Sequence, residues 1–466
     1  MASQSTPYSY STWLQAQQAL ALRLNDTAMV HWVKSELIAY LSEALRFWNC
    51  IAQPGTWIQD VSFVYTQPNP ASLPAWQATG QAINSLVGSN PTSPRWQTLS
   101  DDDVYTIAQY HLLEPATGNA TWTGTDQFSL TDFTQALQRR RDAILQSTAC
   151  NVAPIALIPV TPNTSRIQLP DSESQSVLDI RRVRYIPAVN QGVPSTLWRD
   201  DSLAMEYFNS NFEQTEGTPI AFDLLGSPPQ EVTLDALSGV PASLDILAML
   251  SGGIITPPTD SPLLMPDDWY WVLKFGMMAD MLSKEAESTD LERAAYCEQR
   301  FQEGVKLMIE LPWLTQARID NVPCDTPSVT EADEYDNEWQ TNPNAQTEIV
   351  RGGIDLFAVS PTIPAGSTVT VTLSMIGNAP IPAADGDFIQ VSRDVLDVIL
   401  DEAQHLAQFK HGGKEFSDSI ALHKNFIGAA LQTNRRLRES GIFAETFRPP
   451  VNREAEAQPR FEEKMQ

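Results

Sequence analysis

Apolar residues recur at helical spacing in several blocks of the chain. Over residues 12–50, Leu14, Leu20, Leu24, Leu37, Leu41, Leu45 and Trp48 keep that period. Ser11 or Thr12 is placed to cap the start, Asn25–Asp26 to break the run into two helices, and Pro54–Gly55 to end it. Ser100 with Asp103 is a capping-box signature that opens a helix over Val104–Leu113, stopped by Pro115. A further helix runs from Ser129 or Thr131 to about Ala149. Its apolar stripe is Phe133, Leu137, Ile144 and Leu145, with Arg139–Arg141 on the flank. Residues 267–315 read as a helix pair, with Asp267 and Asp268 at the first N-terminus and Thr289–Asp290 capping the second helix. Phe275, Met278, Leu282, Tyr296 and Phe301 are its expected core. Residues 388–410 predict a helix ended by His411–Gly412–Gly413, and about 418–440 a last one, before a charged, frayed tail.

Between these blocks the period changes to two. TWIQDVSFVYT at 56–66 reads as a strand through Val61, Phe63 and Tyr65. IALIPV, SRIQLP and VLDIRRVRYIPA give three short strands, on which Asp179, Arg181 and Arg184 mark edges or exposed faces. GTPIAFDLLG, QEVTLDAL and SLDILAMLSG follow as strands joined by Pro and Gly turns, while 198–216 reads as one amphipathic helix packed on them. STVTVTLSMIG is the clearest strand, alternating through Val369, Val371 and Leu373. The stretch 324–345 reads as a polar, acidic surface loop.

The fold class is therefore α+β. Helical blocks at the N-terminus, centre and C-terminus surround an inserted β-rich subdomain and a second short β region. The expected boundaries are 1–150 (helical, with a short strand and long loops), 151–265 (β-rich), 266–330 (helix pair), 331–390 (acidic loop and short β region), 391–447 (C-terminal helices) and 448–466 (flexible tail). Helical blocks on both sides of β material imply that the chain ends return to a shared helical layer.

Charge changes the functional picture more than composition does. Of 466 residues, 30 are Lys or Arg and 57 are Asp or Glu, a formal charge of −27. Such a surface repels phosphates and anionic membranes. It suits a solvated wall past which a polyanion slides. The four cysteines, Cys50, Cys150, Cys297 and Cys324, form no CxxC pair, against a zinc knuckle or a disulfide scaffold. The N-terminus lacks the basic-then-apolar order of a signal peptide, and no apolar run is long enough for a bilayer.

Candidate chemistry is sparse. There is no HExxH, no GxxxxGK[ST], no GxSxG, and no GxGxxG after a strand. His405 follows Asp401 by four residues, a spacing that suits a local hydrogen bond better than a metal or acid–base pair. His405, His411 and His423 converge only if two helices meet; His31 and His111 read as ordinary helix-face residues. DGD at 385–387 and EADE at 331–334 lack EF-hand spacing. No catalytic, cofactor-binding or metal-ligating residue is expected. Three basic clusters remain: Arg139, Arg140 and Arg141; Arg181, Arg182 and Arg184; Arg435, Arg436 and Arg438. They are expected to form salt bridges with carboxylates of neighbouring subunits or to make portal-facing contacts. Loop tryptophans Trp76, Trp96, Trp122 and Trp339 suit sugar stacking or interface anchoring.

The segments WIQDVSFVYTQ, LSDDDVYTIAQYHLLEP, LTDFTQALQRRRDAIL, RYIPAVNQGVPSTLWRDD, KFGMMADMLSKEAESTDLERAAYCEQRFQEG and DGDFIQVSRDVLDVILDEAQHLAQFKHGGKEF resemble structural proteins of tailed-phage and prophage morphogenesis clusters. In part the chain is also similar to head–tail connector adaptors. Asp268, Ala279, Leu282, Arg293, Ala294, Phe301 and Gly304 match their ERAAxxxxxFxxG-type helix pair, and residues 331–466 extend beyond it. The resemblance implies a virion protein, assembled in the host cytoplasm, without enzymatic activity or cofactor. It implies a homo-oligomeric ring, commonly of about twelve copies, between portal and tail proteins, through which DNA passes without sequence-specific contact. The alternatives are a tail or baseplate component that binds a receptor or glycan, and a virion enzyme that degrades the cell envelope.

Overall fold

The computed structural model describes residues 11–52, 58–66, 80–82, 98–113, 128–155, 157–170, 176–188, 194–284, 290–310, 314–336, 339, 347–354, 356–360 and 368–439. The helices are α1 (Trp13–Arg23), α2 (Lys34–Ile51), α3 (Asp101–His111), α4 (Leu130–Thr148), α5 (Ser202–Phe208), α6 (Tyr270–Ser283), α7 (Leu291–Glu310), α8 (Val329–Tyr335), α9 (Arg393–Gln408) and α10 (Gly413–Glu439). The strands are β1 (Ile58–Thr66), β2 (Gly80–Ala82), β3 (Val152–Pro154), β4 (Ile158–Val160), β5 (Arg166–Gln168), β6 (Val177–Pro187), β7 (Ser195–Arg199), β8 (Glu216–Gly217), β9 (Ala221–Leu225), β10 (Glu231–Leu234), β11 (Leu237–Ser238), β12 (Ala242–Leu250), β13 (Leu314–Ile319), β14 (Val322–Cys324), β15 (Glu348–Arg351), β16 (Leu356–Ser360) and β17 (Thr368–Ile376). The α+β class holds, with a β-rich region inserted between helices.

The described residues form two compact units. A terminal unit takes the described residues of 11–58 and 379–439; a central unit takes the described residues of 59–378.

In the terminal unit, α9 packs on α1, α2 and α10. Thr12 caps α1 in a capping box with Gln15. The same residue pairs with Phe388, and Ile389 donates its N–H to the Ser11 carbonyl. That pairing holds 388 extended, so α9 starts at Arg393 and not at 388. Asn25 (φ 56°) ends α1, and the Asp26 carboxylate accepts the N–H groups of Val30, His31 and Trp32. The inter-helix turn is thus longer than the two-residue break expected. Gly412 and Gly413 both have positive φ between α9 and α10, and α10 begins there, five residues before the expected start.

In the central unit, α4 packs on α6 and α7, and α3 on α6. Ser100 and Ser129 cap as expected. Phe133, Leu137, Ile144 and Leu145 are buried, as are Phe275, Met278, Leu282 and Phe301; Tyr296 is only half-buried. The two helices of the pair interlock through glycines. A Cβ on Gly276 would lie 2.5 Å from the Phe301 ring, and one on Gly304 would lie 2.5 Å from the Val272 side chain.

The β-rich region is an eight-stranded sheet in the order β3-β12-β6-β7-β9-β10-β5, with β4 also on β12. All its described pairs are antiparallel except β7 with β9. Strand β6 lies between β12 and β7. The expectation that Arg184 marks an edge or exposed face is therefore corrected: Arg182 and Arg184 are buried, and Arg184 sits opposite Asp245 on β12. Residues 198–216 do not form one helix. Trp198 and Arg199 pair with Ala221 and Phe222, and Asp201 then caps the short α5. The acidic stretch after Cys324 is also not all loop, because Ser328 and Glu331 form a capping box that starts α8.

A four-stranded sheet (β1-β17-β13-β14) and a three-stranded sheet (β15-β16-β2) share a core of Ala317, Val371, Leu373, Ile349, Phe357 and Val359. Strand β16 is buried on both faces. Phe357 and Val359 enter that core, while Leu356 and Ala358 enter another with Leu247, Met249, Val329 and Trp339.

Candidate functional site

Most of the arginines expected at subunit contacts act inside the central unit. Arg140 of α4 reaches Asp280 of α6 at 2.5 Å and Glu298 of α7 at 2.8 Å; Arg139 adds a 2.6 Å contact to Asp280. The Arg140 guanidinium also lies 4.7 Å above the Phe301 ring. Burial alone would raise the Asp280 carboxyl, but hydrogen bonds from Arg140 and Arg139 outweigh it and hold the group below the usual carboxylate range. Arg141, placed on the helix flank by its sequence, is instead 0% exposed. It donates to the carbonyls of Pro262 and Gly253, in space that a side chain at Gly252 would fill.

Arg182 grips Asp333 of α8 with two bonds, of 2.6 and 2.7 Å, and Trp339 donates its indole N–H to the same carboxylate at 2.9 Å. Burial pushes the Asp333 carboxyl up, against the pull of Arg182 and Trp339. Trp339 is therefore a buried structural residue and not an exposed sugar platform. Trp76, Trp96 and Trp122 lie outside the described residues. Arg435 is exposed on α10; the side chains of Arg436 and Arg438 lie outside the described ones.

The histidines form two groups in the terminal unit. His31 and His411 stack at 5.1 Å beside Trp32. Beneath them, buried Lys410 donates to both oxygens of buried Glu36 (3.0 and 3.2 Å) and to the His31 carbonyl. Burial, with His31 and Lys410 nearby, holds His411 below the ordinary imidazole value. His405 and His423 do converge, stacked at 5.3 Å. His423 contacts Glu402 at 2.8 Å and His405 contacts Ser419 at 2.8 Å. The Ser419 hydroxyl donates to the Phe416 carbonyl, so it accepts from His405 Nδ1–H. Asp401 does not partner His405; it accepts from Arg23 and Asn425. Ser419 and His405 are buried with their protons directed into the fold, an arrangement that holds helices together and presents no nucleophile.

His111, expected on an ordinary face, is buried in the central unit, 3.1 Å from buried Lys274. Four of the five carboxylates in DGD at 385–387 and EADE at 331–334 are engaged. Asp385 pairs with Lys34, Asp387 accepts from the N–H groups of Ala383 and Ala384, Glu331 caps α8, and Asp333 holds Arg182. Among the described residues no group of three or more His, Cys, Asp or Glu side chains is gathered as for a metal ion, and no helix is long and apolar enough to cross a membrane. The described cysteines are free thiols, three of them buried.

Two features escaped sequence reasoning. The first is a ridge on α5, where Leu203, Tyr207 (86% exposed) and Phe208 (82% exposed) stand in solvent, with Trp198 and Ile220 exposed on the adjoining β7–β9 pair. The i, i+4 spacing of Leu203 and Tyr207 carries the signal, but the single-helix reading hid it. The second is a cavity of about 320 Å³ in the central unit, lined by Arg181, Arg351 and a largely apolar wall.

No protein-family profile matches this chain, and no curated protein matches it.

Proposed function

We propose that this chain is a structural subunit of a tailed-phage virion, one that assembles as a ring at the head–tail neck, between portal and tail proteins, and lines the DNA exit path. The reading rests on the resemblance of the quoted segments, and one structural observation supports it best: the exposed aromatic ridge of α5 on a chain of formal charge −27. Large aromatics in solvent mark contact surfaces. Like-charged copies need such apolar burial to associate at all.

The arginine pairing supports the same reading. Arg139, Arg140 and Arg182 are neutralised within the subunit, which leaves the acidic excess to face outward. A wall of that sign makes few phosphate contacts, so passing DNA releases few counterions and meets little friction.

Negative-stain imaging of the purified chain at high concentration, alone and with portal protein, tests the proposal. Closed rings are expected for the wild type. A Tyr207→Asp/Phe208→Asp double variant is expected to keep its melting temperature and lose the rings. Wild-type monomers under both conditions would refute the reading.

A further inference from the structure

In the central unit Arg351 is half-buried and Arg181 is exposed at the rim of the cavity. Neither guanidinium has a hydrogen-bond or ion-pair partner among the described residues, and Arg351 Nε, like that of Arg141 and Arg184, is shut off from water with no acceptor. In a chain with 57 acidic and 30 basic side chains, carboxylates are not in short supply. The nearest are committed elsewhere. Asp179 binds Arg199 at 3.0 Å, and Glu331 accepts the Ser328 N–H at 2.6 Å. Among the described residues no acidic side chain lines the cavity that the two arginines share.

The backbone builds this arrangement. Opposite β12, Leu247 pairs with Arg182 and Ala248 with Ile180, so Arg181 is the extra residue of a β-bulge. Bulges re-aim a side chain that regular pleating would place differently. Arg351 ends β15 at the turn into β16. Its N–H bonds to the Pro327 carbonyl, Gly352 and Gly353 both donate to the Leu356 carbonyl, and Ile354 donates to Ala149. A Cβ on Gly353 would lie 2.9 Å from Val152, so the turn is pressed against β3. The side of the cavity at this turn is thus fixed by backbone hydrogen bonds.

We propose that this cavity is a binding site for a small amphipathic carboxylate, its charged end held by Arg181 and Arg351 and its apolar body packed against Met308, Leu314, Phe357 and Met375. Guanidinium forks match carboxylate geometry, and charge-assisted hydrogen bonds are stronger than neutral ones. The C-terminal end of α4, at Ser147–Ala149, also borders the cavity. It opposes an anion with about half a charge, against two full charges from the arginines. A volume of about 320 Å³ lies at the lower end of small-molecule sites, which favours a compact ligand.

The probe is octanoate, titrated into the full chain by calorimetry below micelle-forming concentrations. 1-Octanol serves as the neutral isostere and inorganic phosphate as the bare anion. Octanoate is expected to bind at least about tenfold tighter than either, the effect of one charge-assisted contact added to apolar burial. In methyl-labelled methionine spectra, Met308 and Met375 should shift on binding and Met205 should not. Arg351→Met and Arg181→Met should each weaken octanoate about tenfold, whereas Arg139→Met, outside the cavity, should leave it unchanged. Absence of saturable octanoate binding, equal binding of octanol or phosphate, or full affinity in Arg351→Met would each overturn the proposal. If an arginine variant fails to fold, the wild-type comparison of octanoate with octanol decides alone.

Discussion

Arg140 and Arg351 are the same residue type in the same unit, with opposite circumstances. Arg140 ties three helices together through Asp280 and Glu298 and lies on the Phe301 ring. Arg351 sits on a fixed turn, beside a cavity, with a buried Nε and no acceptor. The first is a fastener whose cost of burial is offset by its partners. The second carries a desolvation cost that nothing in the described chain offsets. The same residue type thus separates scaffold from site, and the criterion is saturation, not burial.

Substitutions sharpen that contrast. Removing a saturated arginine should cost most. Arg182→Ala leaves the Asp333 carboxylate buried without its partner and should lower unfolding free energy by about 3–5 kcal/mol in a denaturant titration. Overpacking the helix pair comes next: Gly276→Ala drives a methyl into the Phe301 ring and should cost about 1–3 kcal/mol, read as a lower denaturation midpoint.

The Asp280 network should show itself through pH. Its folded carboxyl titrates below the unfolded value, so the stabilisation is complete above about pH 4 and is lost as pH falls through the folded value. Wild type should therefore exceed Asp280→Asn in melting temperature at neutral pH, and the gap should close on acidification. A gap constant from neutral pH to well below pH 4 would break the assignment. Smallest of all is the unsaturated arginine. Arg351→Met should not lower stability, since no described partner is lost and an unoffset desolvation cost is removed. A loss comparable to that of Arg182→Ala would erase the distinction between the two kinds of arginine.

What could be read in the sequence was what local chemistry decides. Ser100–Asp103 and the Thr12 cap name their helix starts because the side chain and the backbone N–H it binds are three residues apart. Strand β17 was readable because its alternation directly encodes a buried face. The errors lie where distant segments decide. Trp198 and Arg199 fit a helix pattern, but parallel pairing with β9 draws them into the sheet. The exposed look of Arg184 reflects its charge, whereas its burial comes from β12 and β7 on either side. Trp339 is buried because Asp333 and Arg182 meet its indole. The start of α8 was different: Ser328 followed by Glu331 carries the same signature as Ser100–Asp103 and was legible. The cavity had no local signal, because it needs a bulge on β6 and a turn about 170 residues later to meet.

The central claim is that copies of this chain associate through apolar contact against an outward acidic excess, with most of the described arginines spent internally. Sedimentation velocity of the full chain across a salt series, beside a duplex-DNA gel shift, tests it most directly. Salt screens repulsion beyond about 8 Å at physiological strength and leaves apolar burial intact. The account predicts that oligomers grow in proportion as salt rises from low values and that the free subunit leaves duplex DNA unshifted. Oligomers that dissolve steadily with salt, or tight DNA binding at physiological salt, would contradict it.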